Sequence, residues 1–407
     1  MSELNYLEKL LDGAEVDWLP LGELGELVRG NGLPKSDFTE SGVPAIHYGQ
    51  IYTFYGLSTE TTKSFVSHQT AEKLKKVNPG DVVITNTSEN FEDVGKALVY
   101  LGKEQAVTGG HATVFKPSNG IIGKYFAYCT QTGFFASEKR KYSKGTKVID
   151  VSATDMAKIT IPIPCPDNPE KSLTIQSEIV RILDTFTALT AELTAELTAE
   201  LSMRKKQYYY YRDQLLSFDD GEVEWKTLGE LAENLDSKRK PITSGLREAG
   251  KIPYYGASGI VDYVKDYIFD GDFLLVSEDG ANLLARNTPI AFSISGKTWV
   301  NNHAHVLKFD TYAERRYVEY YMNSIDLTTY ISGAAQPKLN KKNLESIRIP
   351  NPSPEEKERI VSILDKFDAL TNSITEGLPR EIELRQKQYE YYRDMLFSFP
   401  KPEVAEA

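Results

Sequence analysis

Apolar residues recur at helical spacing in one long stretch: Ile179, Ile182, Leu183, Phe186, Leu189, Leu193, Leu197 and Leu201. That interval lines a single face of a helix. Asn168 and Pro169 precede the stripe as an N-cap residue and a first-turn proline. The spacing predicts a helix over about 169–217. A second stripe predicts a helix over about 354–397, opened by Ser353-Pro354-Glu355-Glu356, a capping-box pattern with proline at the first helical position. Ile374, Leu378 and Ile382 continue this stripe, but Gly377 and Pro379 fall inside it and predict a kink or a break. Proline-rich entries, Ile161 to Pro166 and Ile349 to Pro352, end whatever precedes each helix. Two long apolar stripes of matched length pack most simply on each other, as an antiparallel pair.

Elsewhere the pattern is shorter. Pro44–Tyr52, Gly80–Ile84, Gly271–Val276 and Ala304–Phe309 read as strands between turns, and Ala71–Leu74 and Tyr312–Met322 as helices. Each region between the long helices therefore reads as a small mixed α/β globule. The fold class expected is α+β: two small mixed α/β domains joined by two long helices that form an antiparallel coiled coil.

The chain also repeats itself in permuted order. Val16-Asp-Trp18-Leu-Pro-Leu21-Gly22-Glu23-Leu24 returns 207 residues later as Val223-Glu-Trp225-Lys-Thr-Leu228-Gly229-Glu230-Leu231. Ile179-Val-Arg-Ile182-Leu183-Asp184-Thr-Phe186 returns 181 residues later as Ile360-Val-Ser-Ile363-Leu364-Asp365-Lys-Phe367, and Arg204 to Asp213 returns at the same offset as Arg385 to Asp394. Tyr6 to Leu11 matches Tyr211 to Leu216, so the chain starts where a repeat unit ends. Such halves predict a circular arrangement with approximate two-fold symmetry. The inserts, roughly 25–157 and 232–346, show little mutual similarity. A symmetric frame with two unlike inserts points to a device that reads two different things at a fixed separation.

Composition narrows the class. The chain has 407 residues, enough for two or three domains, and no run approaches a membrane span. The start, Met1-Ser-Glu-Leu-Asn, lacks the regions of a signal peptide. Cys129 and Cys165 make neither a disulfide framework nor a metal site and read as thiols in a reducing cytoplasm. A net charge of −11 argues against a free-standing tight nucleic-acid binder, fits acidic parts facing other subunits, and leaves room for local basic patches.

Catalytic signatures are missing. Gly296-Lys297-Thr298 resembles the end of a phosphate loop, but Ala291 stands where its first glycine is needed. Asn78-Pro, Asn168-Pro and Asn351-Pro are turn signals and not an amino-methyltransferase motif. His303 and His305 would share one strand face, more in keeping with a base contact or a polar face than with a metal pair.

Basic and aromatic clusters lie in both inserts. In the first, Lys139, Arg140, Lys141, Lys144 and Lys147 form a flexible loop suited to phosphates, with Lys35 nearby in type. Tyr48, Gln50 and Tyr52 alternate along one strand face, and Asn86, Ser88 and Asn90 offer donors and acceptors to base edges. In the second, Lys238, Arg239, Lys240, Lys338, Lys341 and Lys342 are basic. Tyr254, Tyr255, Ser258, Asn282, Asn301, Asn302, His303 and Gln336 are polar or aromatic loop candidates. At the ends of the long helices, Tyr208, Tyr211, Tyr389 and Tyr392 are placed to pack and to present contact surface to a partner.

The permuted repeat, unlike inserts and paired long helices resemble the specificity subunit of type I restriction-modification enzymes. Thr-Ala-Glu-Leu, three times in tandem from Thr190 to Leu201, is similar to the hallmark of the type IC subfamily. Gly333-Ala-Ala-Gln336-Pro-Lys338-Leu339-Asn340 before Ile347-Arg-Ile-Pro350 resembles the family's exit from a target-recognition domain; Gly145 to Ser152 of the first insert lacks the Gln-Pro. The resemblance implies a non-catalytic, cytoplasmic bacterial subunit. Its parts would be a segment 1–24 completing the second repeat, target-recognition domains 25–157 and 223–346, and spacer helices in 158–222 and 347–407. Each domain would read half of a bipartite, asymmetric site in double-stranded DNA. Leu189, Leu193, Leu197, Leu201, Ile374, Leu378 and Ile382 would hold the spacer together. Two methyltransferase subunits carrying S-adenosylmethionine would dock on it, and motor-nuclease subunits using ATP and magnesium would join them. The rivals are a stand-alone two-headed DNA-binding regulator, a coiled-coil or carbohydrate-binding scaffold, and an enzyme in its own right.

Overall fold

The computed structural model describes residues 4–219, 221–333, 336–373 and 375–401, with the side chains of 4–6 left aside. Contacts divide the chain into two compact units, Met1–Ala195 with Glu383–Ala407, and Glu196–Ile382.

In the first unit Val16–Pro20 pairs antiparallel with Thr160–Pro164 and closes the insert at its base. Two five-stranded sheets lie between. Val82–Thr85 is central in one, flanked by Ala97–Tyr100 and Ala112–Pro117. Every residue of Val82–Thr85 and Ala97–Tyr100 is buried, which their near-continuous apolar sequence requires. In the other sheet Val43–Ile46 runs parallel to Ala106–Thr108. A short insert helix, Gly123–Cys129, buries all but Lys124. Its Phe126 packs on Phe115 and Phe135. The same core takes in Ile179 and Leu183 as well as Leu396 and Phe397, so the far end of the chain belongs to this unit.

In the second unit Glu224–Thr227 pairs with Arg348–Asn351 as the corresponding base. The insert is one six-stranded sheet, in the order Glu233–Asn234, Ala304–Lys308, Phe269–Ser277, Ala291–Val300, Ala249–Gly256, Gly259–Val264. Its helix, Tyr312–Ser324, lies between that sheet and Pro354–Asn372. Corresponding bases thus carry unlike sheets, two five-stranded in the first insert and one six-stranded in the second, in keeping with the dissimilar insert sequences.

The long helix is one element of 47 residues, Pro169–Leu215. The Asn168 Oδ1 accepts the Lys171 N–H at 3.1 Å, which makes it the N-cap residue the sequence indicates. Its counterpart is broken, as expected, into Pro354–Asn372 and Gly377–Leu396. Gly377 has φ +78°, and a Cβ there would come within 2.3 Å of the Ala369 carbonyl oxygen, so only glycine fits the break. Ser353 caps Pro354–Asn372 by accepting the Glu356 N–H, but the Glu356 carboxylate turns to Arg359, so the capping box is half formed. In the first unit Phe186 meets Tyr392 with centroids 5.7 Å apart and Thr187 meets Tyr389 at 3.1 Å, so the strips run antiparallel there. In the second unit Tyr208 and Tyr211 pack on Phe367. Leu193, Leu197 and Leu201 are half-buried, as are Leu378 and Ile382, while Leu189 is 50% exposed. Ile374 lies outside the described residues.

Pro44–Tyr52 is not one strand: the strand ends at Ile46 and Tyr48–Thr53 is a helix. The His47 ring caps it by accepting the Gly49 N–H at 3.1 Å, an option that strand alternation does not reveal.

Candidate nucleic-acid interface

In the first insert the structure rearranges the candidate residues. Because Tyr48–Thr53 is helical, Tyr48 and Tyr52 share a face with edge-on rings, while Gln50 points elsewhere and donates to Ser64 Oγ at 2.6 Å. The Tyr52 hydroxyl donates to the Thr87 carbonyl, and burial raises its pKa. Asn86 is wholly buried: its amide donates to the Val151 carbonyl at 2.8 Å and its oxygen accepts from Thr113 at 3.0 Å. It braces the insert and, being wholly buried, presents no edge to a base. Ser88 ends the short strand Thr87–Ser88, paired with Ile149–Asp150, and Asn90 just beyond it is tied to Asp93.

The expected flexible loop at 139–147 is also corrected. Gly133–Tyr142 is a helix, with Lys139, Arg140 and Lys141 in its last turn, where cations meet the negative helix end. Lys139 is buried, and its ammonium donates to the carbonyls of Phe91, Glu92 and Val94. Burial lowers its pKa to about 8. It is a structural lysine. Arg140, one residue on, is exposed and lies over the Phe91 ring. Lys141 pairs with Glu138 and Lys144 with Asp155, both with exposed side chains, and Lys147 and Lys35 are exposed.

In the second insert, three candidates, Tyr254, Arg239 and Asn301, turn inward. Tyr254 is buried, its hydroxyl accepting the Ile242 N–H at 2.9 Å. Arg239 pairs with Glu278 at 2.6 Å and Asp236 at 3.3 Å, and donates to the Ala304 carbonyl, so it is committed inside and not to phosphate. Tyr255 packs on Phe292. Asn282 ties its own loop at Thr288. Asn301 is buried and accepts the His303 N–H. Lys238, Ser258, Asn302 and Gln336 are exposed.

His303 and His305 do not act together. His303 lies before the strand and meets Asp279 at 2.9 Å. His305 is wholly buried, facing Asp236 Oδ2 at 2.6 Å and the Leu339 carbonyl at 2.7 Å. Both ring nitrogens are thus engaged inside the fold. Asp236, Glu278 and His305 bring potential ligand atoms within 4.8 Å of one another. Arg239 and Lys338 already neutralise the carboxylates and both imidazole nitrogens are engaged, so the trio is an ion-pair network and not a metal centre. Burial opposes charge on Asp236 and Glu278, but hydrogen bonds from His305 and Arg239 outweigh it and hold both below the usual carboxylate range. Through Lys338 and Leu339 this network anchors the Gln336–Asn340 segment.

The family model for the type I restriction modification DNA specificity domain matches this chain twice, over residues 15–203 and 221–384. The chain belongs to the type I restriction-modification specificity family. It is 41% identical to the EcoR124I/EcoR124II specificity subunit of Escherichia coli, over 99% of each chain. It is 39% identical to the EcoprrI specificity subunit of the same species, over 92% of this chain and 93% of that one. In fold it matches a chain from a study of type I R-M complex assembly, with a TM-score of 0.62 at 15% identity over 94% of this chain and 97% of that one. It also matches the HsdS subunit of Thermoanaerobacter tengcongensis, with a TM-score of 0.51 at 15% identity over 94% and 96%.

As a member of this family the chain is a specificity subunit, a recognition component and not the catalyst of its complex. Among the described residues no helix is long and apolar enough to cross a membrane. Sequence reading passed over one feature shared by the inserts. Lys124-Tyr-Phe-Ala-Tyr128 returns 192 residues later as Arg316-Tyr-Val-Glu-Tyr320, on the two insert helices. It is shorter than the frame repeats and lies at a different offset, so a search at 181 or 207 misses it.

Proposed function

We propose that this specificity subunit gives its complex recognition of a bipartite, asymmetric DNA site, each insert reading one half. The proposed recognition domains are 25–157 and 223–346, and the proposed spacer parts are 1–24, 158–222 and 347–407. Arg140, Lys141, Lys144, Lys147, Lys35 and Lys238 serve phosphates, and Tyr48, Ser88, Asn90, Ser258, Asn302, His303, Gln336 and Lys338 lie toward base edges. Two methyltransferase subunits, bringing S-adenosylmethionine for adenine methylation, dock on the long helices and their tyrosine-rich ends. Motor-nuclease subunits driven by ATP with magnesium complete the cytoplasmic complex.

The observation that carries this reading is the uninterrupted helix Pro169–Leu215, which belongs to both units and contains the tandem Thr-Ala-Glu-Leu. Four residues add ~6 Å to a helix, and a base step rises ~3.4 Å. Deleting Thr194–Leu197 is expected to shift the preferred spacer by one or two base pairs and to leave both half-sites unchanged. Base-resolution mapping of methyladenine in cells expressing the full system reads this; an unchanged spacer refutes the ruler. Gel shifts with and without methyltransferase subunits address the stand-alone regulator, which would bind its site tightly alone.

A further inference from the structure

The two inserts differ in sheet topology, yet each is fastened to its long helix at the same two points. In the first unit Gln176, wholly buried on the long helix, accepts the Ile122 N–H at 2.9 Å and donates to the Gly120 carbonyl at 3.0 Å. Two turns further on, Asp184 accepts from Lys124 Nζ at 2.8 Å and from the Tyr128 hydroxyl at 2.7 Å. Thr187 continues the line from Tyr128 to the Tyr389 hydroxyl of the other long helix.

In the second unit Lys357, also buried, donates to Glu314 at 2.9 Å. Asp365 accepts from Arg316 at 3.0 Å and from the Tyr320 hydroxyl at 2.6 Å, and Asp368 accepts from Arg316 at 3.1 Å. Tyr208 adjoins Asp368, and its pKa is pushed up to about 12 by burial and that neighbour.

The two points correspond by position. Gln176, Asp184, Thr187 match Lys357, Asp365, Asp368 at an offset of 181, and Ile122, Lys124, Tyr128 match Glu314, Arg316, Tyr320 at 192. The segment between insert helix and long helix is thus 11 residues shorter in the second half, but the insert helices land on the same points. At one point the chemistry has been exchanged as a pair: a backbone amide and Gln176 became the carboxylate of Glu314 and Lys357. Paired exchange preserves a fastening while its residues change.

One contact is a pivot; two contacts eight residues apart, ~12 Å along a helix, resist rotation. The helix length sets where each insert attaches, whereas the fastening sets where its far surface points. An arm of about 20 Å, the scale of a small domain, swung through about 10° moves its end by one base step of ~3.4 Å.

We infer that Lys124, Tyr128 and Asp184, with Arg316, Tyr320 and Asp365, are positioning residues that fix the angle of each recognition domain on the spacer and thereby restrict the spacer length the complex accepts. This rests on the proposed reading of a bipartite site. The test uses the full chain co-expressed with its host's modification subunits. Initial methylation rates are measured on duplexes carrying both half-sites with the native spacer or a spacer one base pair shorter or longer. Tyr128→Phe alone and Lys124→Met with Tyr128→Phe are expected to lower the preference for the native spacer at least threefold, with both half-sites still required. Lys124→Arg, which copies the second unit, is expected to keep the preference. An equal fall on all three spacers, or an unchanged preference in variants that melt with the wild type, overturns the inference. Should the double variant fail to fold, Tyr128→Phe, which loses only a hydroxyl, decides by the same ratio. A wild-type complex with no bipartite preference refutes the functional reading itself.

Discussion

Tyr211 stacks on Phe367 with ring centroids 5.8 Å apart and planes 28° from parallel. The residues 181 positions earlier and later, Phe186 and Tyr392, also meet, tilted at 45° with centroids 5.7 Å apart. Each unit therefore packs its pair of long helices with the corresponding tyrosine on the corresponding phenylalanine, joined in the second unit by Tyr208. Truncating a core phenylalanine costs ~3–5 kcal/mol. Phe367 is half-buried, so Phe367→Ala is expected to cost about 2 kcal/mol, and Phe186→Ala a similar amount. Urea unfolding midpoints check this, and an unmoved midpoint refutes it.

Lys139 predicts an unusual pH dependence. Its pKa in the folded chain, about 8, lies below its ordinary 10.5. The unfolded chain binds the extra proton between these values, so the contribution of this group to stability rises as pH climbs from about 8 to about 10.5. The unfolding free energy of the wild type minus that of Lys139→Met should grow across this window. A flat difference contradicts the burial.

On DNA the basic residues should separate. Replacing Arg140 or Lys147 by alanine is expected to reduce the slope of log affinity against log salt by about one each. Lys139→Met should leave that slope alone in a folded complex, because its ammonium is spent on three carbonyls. Titrations at several salt concentrations distinguish the two classes.

His305→Ala removes one partner from a buried charged network and is expected to cost ~3–5 kcal/mol. Asp236→Asn in the same chain should recover part of the loss, since the stranded charge goes with it. Chemical denaturation of the two single variants and the double variant measures the coupling, and simple additivity argues against the network.

Gly377→Ala places a side chain at positive φ against the Ala369 carbonyl. A cost of at least ~1 kcal/mol is expected, against near-neutrality for an ordinary exposed helical site. Thermal melting reads it directly.

The frame was legible because its signals are local. Asn168, the leucine stripe and the Gly377–Pro379 interruption act within a few residues, and the repeat is visible as letters. The interface was less legible. Asn86 and Tyr254 carry the polar groups a base-reading residue needs, and Lys139 and Arg239 the charge a phosphate contact needs. Nothing in their neighbours' letters says that those groups are consumed by Val151, Ile242, Val94 and Glu278, 65, 12, 45 and 39 residues away.

The sequence by itself determined the helices, the permuted repeat, the unlike inserts and the family, since periodicity, capping and repetition are properties of the chain as written. Only the tertiary structure decided which polar side chains remain available to a ligand. Hydrogen-bond capacity is finite, and a buried donor or acceptor is satisfied by whatever the fold brings beside it. The same reason hid the fastening of the inserts: Asp184 and Asp365 became recognisable only when Lys124 and Arg316 were found against them.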